Sequence, residues 1–382
     1  MAEHIPAEVF SPGEYIRDEL EARGWTQADL AFILGRPLAS INKILSGHKA
    51  ITPQTALGLA EAFGTSAELW LNLEAKYRLR KIGHGGSNPG FGLEAREVAR
   101  RARLYELGPV KEMTKRGWIE VTKSPATLEQ ELLRFFGVTA FGEAPSLCFA
   151  ARIADYAEWT PSQQAWVCRA KNLARAVKAA SFTPKALEQA LLELRQLIAS
   201  EYDVRRVPRL LADVGVRLLV VEHLPRTRID GAALWLDEKT PAVALSLRYD
   251  RIDYFWFTLC HELFHILHKD NGSLDNALVG EDAQPTSEKP EFEQRADREA
   301  ADLLVSTREL ETFIARVRPL YSKKKIIQFA NRLRVHPGIV VGQLQRRGEI
   351  KYSQNREMLA KVRTLLTEAV LTDGWGHTAP LR

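Results

Sequence analysis

Cysteine is scarce in this chain. Three residues among 382 (Cys148, Cys168, Cys260) are too few and too scattered for a disulfide framework or a Cys-rich zinc module, and a reducing cytoplasm fits that usage. Long hydrophobic runs are missing as well. No stretch approaches the ~18 consecutive apolar residues of a spanning helix, so no membrane partner is expected. Residues 1–10 carry Glu3 and Glu8 and have no apolar core, which is not the pattern of a signal peptide. Internal repeats and low-complexity tracts are absent. What is present is an ordinary globular balance, 45% apolar and 26% charged. That excludes a disordered chain and a small scaffold dependent on disulfides, and the length suits two to three domains at ~150 residues each. The net charge of +5 is only mildly basic and by itself argues weakly for a nucleic-acid partner.

The run Gly83-His84-Gly85-Gly86-Ser87-Asn88-Pro89-Gly90-Phe91-Gly92 reads as a linker without regular structure, and residues 270–290 read as a polar surface loop. Before the linker the pattern is all helical. After Pro12-Gly13, Tyr15-Ile16, Leu20 and Ala22 at helical spacing give a first helix, Thr26 caps a second that stops at Gly35, and Pro37 to Leu45 forms a third. Thr52-Pro53 opens a fourth through Phe63, and Ser66 caps a fifth through Tyr77. Residues 93–200 read as mostly helical with a basic surface. Then the period changes. Three apolar strands are expected: Val216–Val221, Ala232–Leu236 after an Asp230-Gly231 turn, and Ala242–Leu247. Apolar helices follow at about 252–269 and 292–305, and the C-terminal part reads as helical again. The expected domains are 1–80, linker 81–92, a connecting region 93–200, an α+β domain with a short sheet over 201–350, and a helical tail 351–382.

The chemistry sits on the helix at 252–269. His261 and His265 are four residues apart, on one helix face, so both imidazoles can reach one metal ion. Glu262 lies one residue round, where it can take a proton from water activated by that metal. The helix is apolar on every side, and polar groups there need a partner, which a metal provides. A catalytic zinc has three protein ligands and one open position. His268 and Asn271 replace the Gly and His of the metzincin pattern, which excludes that class. Glu293 is a candidate third ligand, with Glu291 and Glu299 competing. Asp297, one turn after Glu293, can fix the tautomer of a ligand histidine. Cys260 points away from the shared face and reads as a small buried hydrophobe.

The run Phe255-Trp256-Phe257-Thr258-Leu259-Cys260 into His261-Glu262-Leu263-Phe264-His265, then Glu293-x-x-Ala296-Asp297-x-x-Ala300-Ala301-x-Leu303-Leu304, resembles the ImmA/IrrE family of zinc metallopeptidases, as does Ile229-Asp230-Gly231-Ala232. The resemblance covers about 205–350. Residues 13–77 resemble the HigA-type antitoxins with an Xre-like helix-turn-helix, on Ala50-Ile51-Thr52-Pro53, Ala62-Phe63-Gly64-Thr65-Ser66 and Leu69-Trp70-Leu71-Asn72-Leu73. The order resembles fused regulator-peptidases of toxin–antitoxin and phage-defence loci. The fold implied is a mainly α helix-turn-helix bundle joined to a zincin-like, gluzincin α+β domain. Carried over by position, His261, His265 and Glu293 ligate Zn2+, and Glu262 is the general base. Cys260 stands where relatives often have Arg, and Leu303-Leu304-Val305-Ser306 departs from the family's LLMP-like ending. Neither touches a proposed ligand.

The expected function is a cytoplasmic DNA-binding regulator or antitoxin whose zinc domain hydrolyses a peptide bond in a partner or in itself. The alternative is a repressor that neutralises a toxin by contact, with zinc structural or sensory. On the DNA side, Gln27 would meet a phosphate, and the face from Pro37, Leu38 and Ala39 through Ser40, Asn42 and Lys43 would enter the major groove. Residues 1–80 carry eight Lys and Arg against ten carboxylates, so binding rests on a homodimer and a few phosphate contacts. The partners are then operator DNA and a cognate toxin or other protein substrate. His336, His223 and Tyr254 are candidates for the oxyanion partner.

Overall fold

The computed structural model describes residues 10–83, 89–120, 122, 124–140, 159–270, 274–276, 278–281, 283, 289–377 and 379. The chain divides into two compact units, 1–101 and 102–382. Cys148 and the core of the glycine run, residues 84–88, lie outside the described residues.

The first unit is helical: α1 (Pro12–Arg23), α2 (Gln27–Ile33), α3 (Leu38–Leu45), α4 (Pro53–Phe63), α5 (Ala67–Gly83) and α6 (Pro89–Glu106), which runs past the unit boundary. Ile16, Leu30, Ile41, Leu59 and Trp70 close its core. The start signals are local. Thr26 and Asp29 form a reciprocal capping box, with Asp29 N donating to Thr26 Oγ1 at 3.2 Å and Thr26 N to Asp29 Oδ2 at 2.7 Å. Thr52 and Ser66 accept from the first turns of α4 and α5. Gly35, at φ +59°, makes the left-handed turn between α2 and α3. The glycine run differs from expectation at its described ends. Helix α5 continues to Gly83, and α6 begins at Pro89, because proline is a favourable first helical residue even where glycines follow.

The second unit opens with α7 (Val110–Lys115), α8 (Pro125–Phe136), α9 (Pro161–Ala174), α10 (Pro184–Leu197) and α11 (Val207–Asp213). Strands β1 (Arg217–Val221), β2 (Ile229–Trp235) and β3 (Pro241–Leu245) precede α12 (Ile252–His268). Strand β4 (Leu274–Asn276) and helices α13 (Glu291–Leu304), α14 (Thr307–Val317), α15 (Lys323–Leu333), α16 (Pro337–Arg346) and α17 (Arg363–Thr367) lead to β5 (Leu371–Asp373). The mixed sheet has the order β4-β2-β3-β1-β5, with β2 antiparallel to both of its neighbours and β1 parallel to β3 and β5.

Both faces of the sheet are covered. Leu218 and Val220 join the α10–α12 side, and Leu219 and Val221 join the α7–α9 side. Alternate residues therefore bury on opposite faces, and the strands read as unbroken apolar runs. Helices α7–α9 are thus one layer of this unit, and α10 belongs to the other. Trp166 of α9 donates to Val221 O at 3.0 Å.

Two sequence expectations change here. Asp230-Gly231 is not a turn but the interior of β2, held there by pairing to β3 on one side and β4 on the other. The helical tail expected over 351–382 also supplies β5. Buried Asp373 accepts from Trp118 Nε1 at 2.8 Å and pairs with fully buried Arg169 of α9. That ion pair fixes the C-terminal strand in the core, a link no local pattern carries.

Candidate metal centre

Helix α12 is amphipathic for a buried environment. Phe255, Trp256, Leu259, Leu263 and Ile266 pack into the core, while His261, Glu262 and His265 sit at zero exposure among them. Helix α13 lies alongside and brings Glu293 to the two histidines. The two Nε2 atoms are 2.9 Å apart, and Glu293 Oε2 is 3.0 Å from that of His261. Glu293 Oε1 is 3.4 Å from His265 Nε2. Asp275 of β4 adds its Oδ2 at 3.4 Å from His261 Nε2. One ligand atom from each of these four residues falls within 4.8 Å of every other.

The opposite ring nitrogens face carboxylates. His261 Nδ1 is 3.0 Å from Asp297 Oδ1, and His265 Nδ1 is 3.0 Å from Asp270 Oδ2. Each pairing suits a ring proton on Nδ1, the tautomer that turns Nε2 toward a metal. Asp270 is in turn held by Arg295 at 2.6 Å, and Asp297 by Lys289 at 2.9 Å and Arg346 at 2.7 Å.

This donor set fits a divalent metal on two observations. The first is convergence: both Nε2 atoms, a Glu293 oxygen and an Asp275 oxygen lie within 4.8 Å of one another, close enough to share one cation. The second is that Asp275 Oδ2, buried in the same cluster, has no hydrogen-bond donor. Imidazole and carboxylate donors suit zinc among other divalent ions.

The electrostatics follow from the burial. Burial pushes the Glu262 carboxyl well above the usual carboxylate range, and the neighbouring Asp275 adds to it. Both Glu262 oxygens are buried without a hydrogen-bond donor. Burial works against Glu293 and Asp297 too, yet their histidine contacts hold both below the ordinary range. Burial alone would lower His261, but Asp275, Asp297 and Glu293 together raise it well above an ordinary histidine.

Gly231 sets the floor of the site. A Cβ at this position would lie 2.5 Å from Glu262 Oε1 and 2.8 Å from Thr258 Cγ2. The absence of a side chain on β2 is what lets α12 bring Glu262 against the sheet.

Of the residues singled out in the sequence, His261, Glu262, His265, Glu293 and Asp297 come together in one place. Glu291 is exposed in the first turn of α13, and Glu299 pairs with His268 at 2.6 Å away from the cluster. Burial pushes the Cys260 thiol up to about 12, so it stays protonated. His336 caps α16, accepting from Gly338 N at 3.1 Å; His223 packs against Trp375, and Tyr254 lies beneath the Arg251 guanidinium. None of these three belongs to the four-residue cluster. Asp270, Asp275, Arg295 and Gly231 were not identified as site residues. Asp270 comes five residues after His265, just past the end of α12, which is a usable signal. Asp275 had none, because its segment reads as loop.

In the first unit Gln27, Pro37, Leu38, Ala39, Asn42 and Lys43 are exposed on α2 and α3. Ser40 is half-buried and accepts from Lys49 Nζ at 2.8 Å, so Lys49 shares that face.

Residues 16–70 match the helix-turn-helix family model, and residues 220–344 match that of the IrrE N-terminal-like domain. The chain therefore joins a helix-turn-helix module to an IrrE-like domain with helices and a small mixed sheet. Curated relatives align with the first module. The Virulence-associated protein I of Dichelobacter nodosus is 39% identical over 70 residues, 18% of this chain and 65% of that protein. Virulence-associated protein A' of the same organism is 34% identical over 73 residues, 19% of this chain and 64% of the relative. The uncharacterized HTH-type transcriptional regulator YddM of Escherichia coli (strain K12) is 28% identical over 68 residues, 18% of this chain and 72% of its own length. The chain thus spans just under two thirds of the two Dichelobacter proteins. Among the described residues no helix is long and apolar enough to cross a membrane.

Proposed function

We propose that this chain is a DNA-binding transcriptional regulator, an antitoxin in kind, whose IrrE-like domain is a zinc metallopeptidase that cleaves a partner protein or the chain itself. One observation carries the reading. A buried, donorless Glu262 stands beside two histidines and Glu293 whose ligand atoms converge, on a chain that also bears a helix-turn-helix. His261, His265 and Glu293 hold the ion. Zinc bound there supplies Lewis-acid polarisation and an acidified water. Glu262 takes the proton of the attacking water and returns it to the leaving amine. Asp297 and Asp270 orient the histidines, and Gly231 keeps the Glu262 carboxylate unobstructed. In the first unit, Gln27 meets a phosphate, and Pro37, Leu38, Ala39, Asn42 and Lys43, with Ser40 at their edge, lie along the major groove of an operator bound by a homodimer.

A second reading is supported by Asp275. Four protein donors are the arrangement of a structural metal site, as expected of an antitoxin that works by contact alone. Co-expression with the protein encoded beside this one separates the two. Intact masses are taken for wild type and Glu262→Gln. New fragments with wild type only establish hydrolysis. No fragments, with the neighbour neutralised by both forms, favour the binding-only antitoxin, with zinc as architecture or as a switch awaiting its signal.

A further inference from the structure

Strand β4 stands in a significant place. One general way to bind a peptide is to add it as a strand on a free sheet edge, where backbone hydrogen bonds hold it in register. The edge next to the candidate chemistry belongs to β2, because Gly231 of β2 touches Glu262. That edge is not free. Strand β4 lies antiparallel on it, with Asp275 directly opposite Gly231 and Leu274 opposite Ala232. The other edge of β2 is taken by β3.

Asp275 is itself unusual. It is 7% exposed, its Oδ2 finds no hydrogen-bond donor, and that atom lies 3.4 Å from His261 Nε2. A buried carboxylate oxygen without a donor is costly unless a cation receives it. Aimed at His261, His265 and Glu293, it makes a fourth donor where a catalytic site keeps one position open.

We infer that Asp275 is a fourth metal ligand and that β4 occupies the place of a substrate strand, so that the centre described above is a self-closed resting form. The inference rests on the peptidase reading for what β4 displaces, but not for the ligation. The strand is suited to leaving. It has three residues, and its pairing to β2 is interrupted by a register shift between Ile229 and Gly231. Few ladder bonds are lost when it lifts.

Two measurements on the full-length, zinc-loaded protein test this, and neither reads turnover. The first compares wild type with Asp275→Ala and Asp275→Asn. Expected are a zinc affinity weaker by about tenfold or more, from chelator competition, and acetohydroxamate bound about tenfold tighter at the opened position. Unchanged affinities for both overturn the ligation, whatever the protein cleaves. The second is the double variant Ala232→Cys/Leu274→Cys, whose positions face each other across the two strands. Oxidised, it should keep its zinc yet bind a tripeptidyl hydroxamate at least about tenfold more weakly than when reduced, as a lost competition for the β2 edge requires. Equal binding in both forms overturns the role of β4 and places the peptide elsewhere, for instance on the outer edge of β4. If both expectations hold while wild type gives no fragments in the co-expression, the same co-expression with Asp275→Ala separates the two: fragments there establish hydrolysis held closed by β4, and none there overturn hydrolysis while the ligation stands.

Discussion

The helix-turn-helix unit and the unit with the candidate metal centre each carry their candidate functional residues on a helix, the first facing solvent and the second facing its own core. Helix α3 turns Leu38, Ala39, Asn42 and Lys43 to solvent. Helix α12 turns His261, Glu262 and His265 inward, where none has any exposed surface. An outward face needs only local devices: the Thr26–Asp29 capping box, the left-handed Gly35 and the start at Pro37. An inward face must satisfy each buried polar atom, and the partners come from distant segments. Glu293 is 32 residues from His261, and Asp275 sits on a different strand. Exposed function is placed by secondary structure, whereas buried function is placed by tertiary structure.

That contrast can be broken by mutation. The largest effect is expected at His261→Ala, which should take bound metal from about one ion per chain to near none by elemental analysis. An undiminished metal content would show that α12 is not the site. Next comes Asp373→Ala, which leaves fully buried Arg169 without its charge partner. Such a loss costs about 3–5 kcal/mol, read as faster hydrogen exchange in β1 and α9, far from the substituted strand in sequence. Gly231→Ala follows, at about 1–3 kcal/mol for forcing a Cβ against Glu262 and Thr258, measured by denaturant unfolding. It should also weaken metal binding, although Gly231 is no ligand. The smallest effect belongs to the outward-facing unit. Thr26→Ala removes one cap and should cost about 1 kcal/mol, confined to the amide exchange of α2 and α3. If Thr26→Ala disturbed α12, or Gly231→Ala left the metal untouched, the division between local and tertiary placement would fail.

Much of the molecule is legible in the sequence for the same reason. Helix starts at Gln27, Pro53 and Ala67 follow from capping residues next to them, and α12 from an apolar run that ends in a left-handed Lys269. Glu293 and Asp297 were readable because helical spacing links them to each other and the histidines call for a third donor. Asp230-Gly231 misled. The pair favours a tight turn when nothing else acts, but here flanking strands hold it extended and Glu262 needs the missing side chain. Strands β4 and β5 have three residues each, too short for a period to emerge.

The sequence by itself determined the two kinds of unit, the helices with their caps, the apolar strands, and the presence of two histidines on one helix face with a glutamate one residue round. These depend on interactions within a few residues, which composition and spacing record. Only the tertiary structure decided that Asp275 joins them, that Gly231 is the floor beneath Glu262, and that Asp373 ties the C-terminal strand to Arg169. Those contacts close over long stretches of chain. Their partners are chosen by which buried charges and lone pairs must be neutralised in the same small volume, a condition that exists only once the chain has folded.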